Sequence, residues 1–177
     1  MIGQFDTILL YGYGNPGRGD DGLGPALASA IEDLAVPGVS VDSNYQLNLE
    51  DAAELGNYNA VVFADAATQG RAPFSFARID DSMVGHVGWT SHSVSPTQVV
   101  ALARDLFASK VKAYVLGIRG YQFGDLDETL SLGAKENLAE AVAFARKALV
   151  ERRFESYQQK FGPIAAGKDA GGPTLKA

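Results

Sequence analysis

The sequence contains no cysteine and only two histidines, His86 and His92. The absence of cysteine excludes disulfide bonds, thiolate zinc sites and cysteine nucleophiles. Two histidines are too few for a metal site built from several imidazoles. A surplus of basic residues is also missing, since the net charge is −6. This charge argues against a nucleic acid as the main partner, because such partners attract a basic surface.

Long hydrophobic runs are absent as well. No apolar stretch approaches the about 20 residues needed to cross a bilayer. The N-terminus has no basic segment followed by an apolar one, as a secretory signal would have. We therefore expect a cytoplasmic protein without a membrane partner. The 177 residues are enough for one domain with its own core.

The patterns that are present alternate between strand and helix. Apolar runs typical of strands lie at residues 7–13, 39–43, 60–66, 74–79 and 113–118. Helical patterns lie at residues 23–34, 47–56, 95–109 and 132–154. This alternation predicts an α/β fold with a mostly parallel, twisted sheet of about five strands, covered by helices on both faces. The 74–79 run alternates apolar and polar residues, which is typical of an edge strand.

The chain divides into a domain and a tail. Residues 1–154 form the predicted single α/β domain. Residues 155–177 are rich in Gly, Ala, Pro and Lys without periodicity, and this composition predicts a disordered tail.

The loop after the first strand has two interpretations. Its "GYGNPG" fits the Gly-x-Gly-x-x-Gly turn of nucleotide-binding proteins, and Asp42 near the end of the second strand would hold a ribose. Against this, Pro16 removes a backbone N–H from the turn. Asp20 and Asp21 also place negative charge where a phosphate needs a helix N-terminus. The charge favours a cation over an anion.

Structural roles compete with functional ones at each of these acids. An aspartate before a helix is commonly a cap, but Pro25 stands where an ordinary cap at Asp20 or Asp21 would need a helical N–H. Asp65 closes a continuous apolar strand, where a carboxylate is costly unless it is paired or ligating. His92 precedes a helix that begins at "SP" and is a structural histidine in the alternative interpretation. Asn15 either donates to an oxyanion or bonds its own turn.

The carboxyl ends of parallel strands meet at one edge of the sheet. We therefore expect an aspartate of the Asp20–Asp21 loop to lie close to Asp65 and His92. Two carboxylates and one imidazole suit a divalent transition metal with open coordination positions.

Four segments in order resemble the endopeptidases that mature the large subunit of nickel-iron hydrogenases, the M52 peptidase family. "GYGNPGRGDDGLG" resembles the N-terminal signature, and "VVFADA" resembles the buried strand that ends in Asp-Ala. "SHSVSP" is similar to the histidine segment. "LGIRGYQFG" followed by "TLSLGAKENLAEAV" is similar to the last strand, acidic loop and last helix. The resemblance spans residues 7–150.

The resemblance implies a compact three-layer α/β/α sandwich, phosphorylase/hydrolase-like, and a cytoplasmic, monomeric protease without a resident metal. Such enzymes recognise nickel already inserted in the precursor large subunit and then remove its C-terminal extension. The metal-contacting and catalytic positions of the family fall on Asp21, Asp65 and His92, with Asp20 as a neighbour. Some relatives have Glu at the position of Asp21, and many have a Pro-Glu-like segment where this chain has "IRGYQFG".

Two other functions stay open from the residues alone. One is a nucleotide- or flavin-binding oxidoreductase that uses the glycine-rich turn and Asp42. The other is a non-enzymatic α/β interaction module whose acidic edge binds partners.

Overall fold

The computed structural model describes residues 7–80, 94–124 and 127–161. The strands are β1 (Ile8–Tyr13), β2 (Val39–Asn44), β3 (Ala60–Ala67), β4 (Phe74–Arg78) and β5 (Lys112–Arg119). The helices are α1 (Leu23–Glu32), α2 (Pro96–Phe107), α3 (Leu132–Glu151) and α4 (Phe154–Phe161). Short 3-10 turns lie at Gly19–Gly22, Leu49–Ala53 and Leu55–Asn57.

The strands form one sheet in the order β2-β1-β3-β5-β4. The pairs β1–β2, β1–β3 and β3–β5 are parallel, whereas β4 runs antiparallel to β5 at the edge. The register of the central pair places Asp65 opposite Gly117. Five strands and an antiparallel edge strand at residues 74–78 confirm the predicted sheet.

Two hydrophobic cores lie on opposite faces of this sheet. One core joins residues of α1, α3 and α4 to the face that carries Ile8, Leu10 and Val62. The other joins α2 and the 3-10 turns to the face that carries Tyr11 and Phe63. These layers confirm the α/β/α sandwich. Within the described ranges, no helix is both long and apolar enough to cross a membrane.

The predicted helix start at Ser95 is confirmed. The Ser95 side chain accepts a hydrogen bond from the Gln98 N–H, and the Gln98 side chain accepts one from the Ser95 N–H. Pro96 occupies the first helical position, where its missing N–H costs nothing. This capping box fixes the residue at which α2 begins.

The predicted disordered tail begins too early. The main chain turns at Arg152, whose φ is 56°, and residues 154–161 then form α4. Phe154 is fully buried against Tyr114 and Phe76, and Glu155 accepts hydrogen bonds from Tyr114 and Lys112. The tail prediction is therefore wrong for residues 155–161, because one aromatic anchor outweighs the polar composition around it. Residues 162–177 lie outside the described residues.

Two glycines bring α1 into direct backbone contact with the sheet. A Cβ at Gly24 would lie 2.3 Å from the carbonyl oxygen of Tyr13 and 2.4 Å from that of Ala64. A Cβ at Gly12 would lie 2.3 Å from the carbonyl oxygen of Gly24. The N-terminus of α1 therefore rests on the carboxyl ends of β1 and β3. These glycines serve helix–sheet packing.

We expect Gly24→Ala to lower the free energy of unfolding by about 3 kcal/mol, because its methyl group would overlap two backbone carbonyls that cannot rotate away. Gly56→Ala is the matched control, since a Cβ there meets no atom within 4 Å. Urea unfolding of both variants measures the difference. Equal stability of the two alanine variants would contradict the close contact.

Candidate functional site

The candidate site lies at the carboxyl edge of the sheet, where β1, β3 and β5 end. Two loops cover this edge: loop 1, residues 14–22 after β1, and loop 5, residues 120–131 after β5, of which residues 125–126 lie outside the described ones. Asp20 and Asp21 lie on the 3-10 turn of loop 1, before α1. Neither caps α1, whose N-cap is Gly22. Pro25 in the first turn of α1 is consistent with the predicted displacement of the acids.

Asp20 joins loop 1 to loop 5. Its side chain is fully buried and accepts N–H groups of Tyr121, Gln122 and Ser131 at 2.7–2.9 Å. The Ser131 hydroxyl donates a fourth hydrogen bond at 2.7 Å. Burial alone would raise the pKa of the Asp20 carboxyl, but these donors outweigh it and hold the pKa below its ordinary value. Asp20 is thus a structural carboxylate, as expected of the neighbour of the proposed ligand.

The glycine-rich part of loop 1 has no backbone donor left for a phosphate. From residue 14 to residue 21, every N–H except the absent one of Pro16 already donates a hydrogen bond within the protein. The Gly17 N–H donates to the Asn15 side chain at 2.8 Å, so Asn15 bonds its own turn. Asp42 likewise accepts the N–H of Ser43. The geometry disfavours the nucleotide-binding interpretation, which needs free N–H groups facing the pyrophosphate.

Asp21 is held at the mouth of loop 1. Its Oδ2 accepts the Asn15 N–H at 2.9 Å, and its carbonyl oxygen lies where a Cβ on Gly14 would come within 2.0 Å. Gly14 has a φ of 138°, a backbone conformation that glycine adopts readily. The Asp21 side chain is half-buried and keeps one carboxylate oxygen outside this turn.

Asp65 lies near the end of β3, and burial affects its carboxyl group strongly. Its Oδ1 accepts the N–H of Ala66 at 2.7 Å, and the Tyr13 hydroxyl donates to its side chain. Burial raises the pKa of Asp65 to about 6, against the lowering effect of the Tyr13 and Ala66 hydrogen bonds, and the charge of Asp21 raises it further. Asp65 is therefore a carboxyl group poised to lose its proton near neutral pH.

Asp21 and Asp65 act on the same neighbour. Burial and the charges of Asp65 and Asp21 raise the pKa of the Tyr13 hydroxyl. The two acids, which are distant in sequence, are therefore close enough for their charges to act on one another and on Tyr13. His92, the third predicted ligand, lies outside the described residues. Among the described residues, no three His, Cys, Asp or Glu side chains form a metal-binding group. The described part of the predicted set consists of Asp21 and Asp65.

Sequence reasoning missed Tyr13 and the partners of Asp20. Tyr13 is the last residue of β1 and orients Asp65 across the sheet by its hydroxyl. An aromatic residue with a polar tip at a strand end next to an acid-terminated strand is the signal that points to it. The Asp20 partners leave no local pattern, because they lie in loop 5, about 100 positions away.

Comparisons with known proteins give matches at the level of structure. No family model and no curated protein sequence matches the chain. A nickel-iron hydrogenase maturation protease, HycI from Thermococcus kodakarensis, superposes with a TM-score of 0.66 at 19% identity, covering 85% of this chain and 96% of its own. The hydrogenase maturating endopeptidase HybD from E. coli has a TM-score of 0.61 at 20% identity, covering 83% and 94%.

A third solved structure, the endopeptidase HycI from E. coli, has a TM-score of 0.62 at 19% identity, covering 92% of this chain and 99% of its own. The chain has the fold of the hydrogenase maturation proteases. This agrees with the resemblance stated from the four ordered segments. The coverage extends over nearly the whole of each solved chain, so the shared architecture is that of a complete domain.

We expect Asp20→Asn to lower the free energy of unfolding at pH 7 by about 3 kcal/mol, because an amide cannot accept all four donors. The depressed folded-state pKa means that the contribution is complete above the unfolded-state pKa and is lost as pH falls through the folded-state pKa. Urea unfolding measures it, with Asp105→Asn on exposed α2 surface as the control. Equal stability of the two variants would refute the role of Asp20.

We expect carbon-13 NMR titration of Asp65 to give a midpoint near pH 6, as its raised pKa of about 6 implies. Asp21→Asn should lower this pKa, because it removes a neighbouring negative charge. Tyr13→Phe should raise it, because it removes a hydrogen bond to the charged form. Asp105→Asn should leave it unchanged. An Asp65 pKa that does not respond to Asp21→Asn would separate the two acids.

Proposed function

We propose that this chain is an endopeptidase that removes the C-terminal extension of the immature large subunit of a nickel-iron hydrogenase after nickel insertion. The observation that supports the proposal is that the Asp21 charge acts on buried Asp65 at the end of β3, in a domain with the fold of such proteases. The neighbours named as nickel-iron hydrogenase maturation proteases or endopeptidases share this fold. The order of the four sequence segments supports it further.

Nickel enters this site as part of the substrate. Asp21 and Asp65 supply one carboxylate each, and His92 supplies the predicted imidazole. Burial and the Asp21 charge disfavour ionised Asp65 in the free protein. A divalent cation offsets both effects, so the acids bind the precursor better when it carries metal. Near the scissile bond, such an ion polarises a carbonyl or lowers the pKa of bound water.

Recognition of the precursor through its metal would make cleavage follow nickel insertion. An empty precursor offers no cation, and two neighbouring carboxylates repel other anionic groups. The extension is therefore removed after nickel insertion. The precursor large subunit is the proposed partner, and a monomeric protease in the cytoplasm stays the prediction from the sequence.

We expect purified protein to cleave the nickel-loaded precursor and to leave the nickel-free precursor intact, because two carboxylates need the cation. Asp21→Asn, Asp65→Asn and His92→Ala should each lower kcat/KM by about 100-fold or more, as loss of a metal contact does. The measurement is the mass shift of the large subunit over time. Circular dichroism and urea unfolding show whether each variant is folded.

Matched controls are Asp105→Asn for the acids and His86→Ala for the histidine, and both should process the precursor at the wild-type rate. Equal cleavage of the loaded and empty precursors would refute nickel recognition. No cleavage of either precursor would refute the protease. Saturable binding of a flavin or nicotinamide nucleotide would then favour the oxidoreductase, and stable binding of the precursor without cleavage would favour an interaction module.

A further inference from the structure

Arg119 lies at the carboxyl end of the strand next to the one that carries Asp65, which with Asp21 forms the proposed acid pair. It is the last residue of β5 and pairs with Ala67 of β3, two positions beyond the pair formed by Asp65 and Gly117. Residues two apart along a strand point to the same face. The Arg119 side chain therefore leaves the sheet on the Asp65 side, one step further toward the carboxyl edge.

The structure fixes Arg119 through several contacts. Its N–H donates to the carbonyl of Pro73, and its carbonyl accepts the side-chain amide of buried Asn137 at 2.8 Å. Its guanidinium donates to the carbonyl of Thr68 and lies 5.2 Å from the ring centre of Tyr121. The Tyr121 hydroxyl accepts a second N–H of Asn137 at 3.1 Å. These contacts fix the position of the guanidinium in advance.

The guanidinium keeps donors for another group. Thr68 takes one of its five N–H groups, and Arg119 is half-buried beside a Tyr121 that is 50% exposed. In the described part of the chain, no carboxylate forms an ion pair with it. A planar cation held by an aromatic face and a carbonyl is suited to bind a carboxylate with two parallel hydrogen bonds.

We propose that Arg119 is a specificity residue that binds a carboxylate of the substrate peptide as this peptide passes the acid pair. The proposal rests on the proposed function. Asp21 and Asp65 repel an acidic peptide, and Arg119 offsets that repulsion at one position. The carboxylate belongs to an Asp or Glu side chain of the precursor or to its C-terminus, and both present the same planar anion.

The first test is a double-mutant cycle on cleavage of the nickel-loaded precursor. Each Asp and Glu of the extension is changed singly to Asn or Gln, and one further precursor carries Gly-Ser-Gly after its last residue to displace the terminal carboxylate. We expect one of these changes to lower kcat/KM of the wild-type protease about tenfold, as loss of one charge-assisted bond does. The same change in the precursor should leave kcat/KM of the Arg119→Gln protease unaltered.

Three protease variants make the cycle specific. Arg119→Gln should lower kcat/KM on the unchanged precursor about tenfold, mainly through KM. Arg119→Lys should recover part of this loss, because it keeps the charge without the planar fork. Arg153→Gln changes an exposed arginine between α3 and α4, and this variant should cleave like wild type. Losses that are equal in the Arg119→Gln and wild-type proteases for every precursor would overturn the proposal.

The second test does not depend on cleavage. The probes are the tripeptides acetyl-Gly-Glu-Gly-amide, acetyl-Gly-Gln-Gly with a free C-terminus, and neutral acetyl-Gly-Gln-Gly-amide. We expect the two carboxylate peptides, and not the neutral one, to shift the NMR signals of the Arg119 Nε–H and the Tyr121 ring. Arg119→Gln should abolish the Tyr121 shift. Equal shifts with all three peptides would overturn the proposal even if the protein processes its precursor, whereas selective shifts without processing would refute the protease alone.

Discussion

The four hydrogen bonds to the buried Asp20 carboxylate hold the candidate site together. They connect the turn that carries Asp21 to the segment that follows β5 and to the N-terminus of α3. A charge without water is stable only when donors surround it, and here three backbone N–H groups and one hydroxyl do so. Asp20 therefore fixes the position of its neighbour. The geometry of Asp21 depends on a residue that contacts no ligand itself.

The glycine-rich turn shows how one sequence pattern serves two physical purposes. In nucleotide-binding proteins, such glycines let the backbone approach a pyrophosphate. Here Gly12 and Gly24 let a helix approach two strands, and the N–H groups of the turn bind protein oxygens instead. Two acids, Asp20 and Asp21, follow the turn directly before the helix. Close backbone packing at these glycines is therefore combined here with a negatively charged loop instead of a phosphate-binding loop.

Much of the fold follows from patterns that are local in the sequence. Apolar runs predicted the five strands, and Ser95 and Pro96 predicted the start of α2. The acid that follows the apolar run of β3 predicted Asp65 as a site residue, which stays a prediction. Contacts between distant segments had no such pattern. The four donors to Asp20 and the hydroxyl of Tyr13 belong to this class, because each depends on the packed sheet. Helix α4 was missed since its stability comes from Phe154 and not from its own composition.

The Asp20 network also joins the acid pair to Arg119, because loop 5 carries Tyr121 directly after β5. The described parts of the two loops are thus joined by hydrogen bonds, although about 100 residues separate them. A chimaera that receives only loop 5 from another protein of this fold would lose its match to the donor set around Asp20. A graft that keeps this edge of the sheet intact therefore requires both loops to be exchanged as a pair.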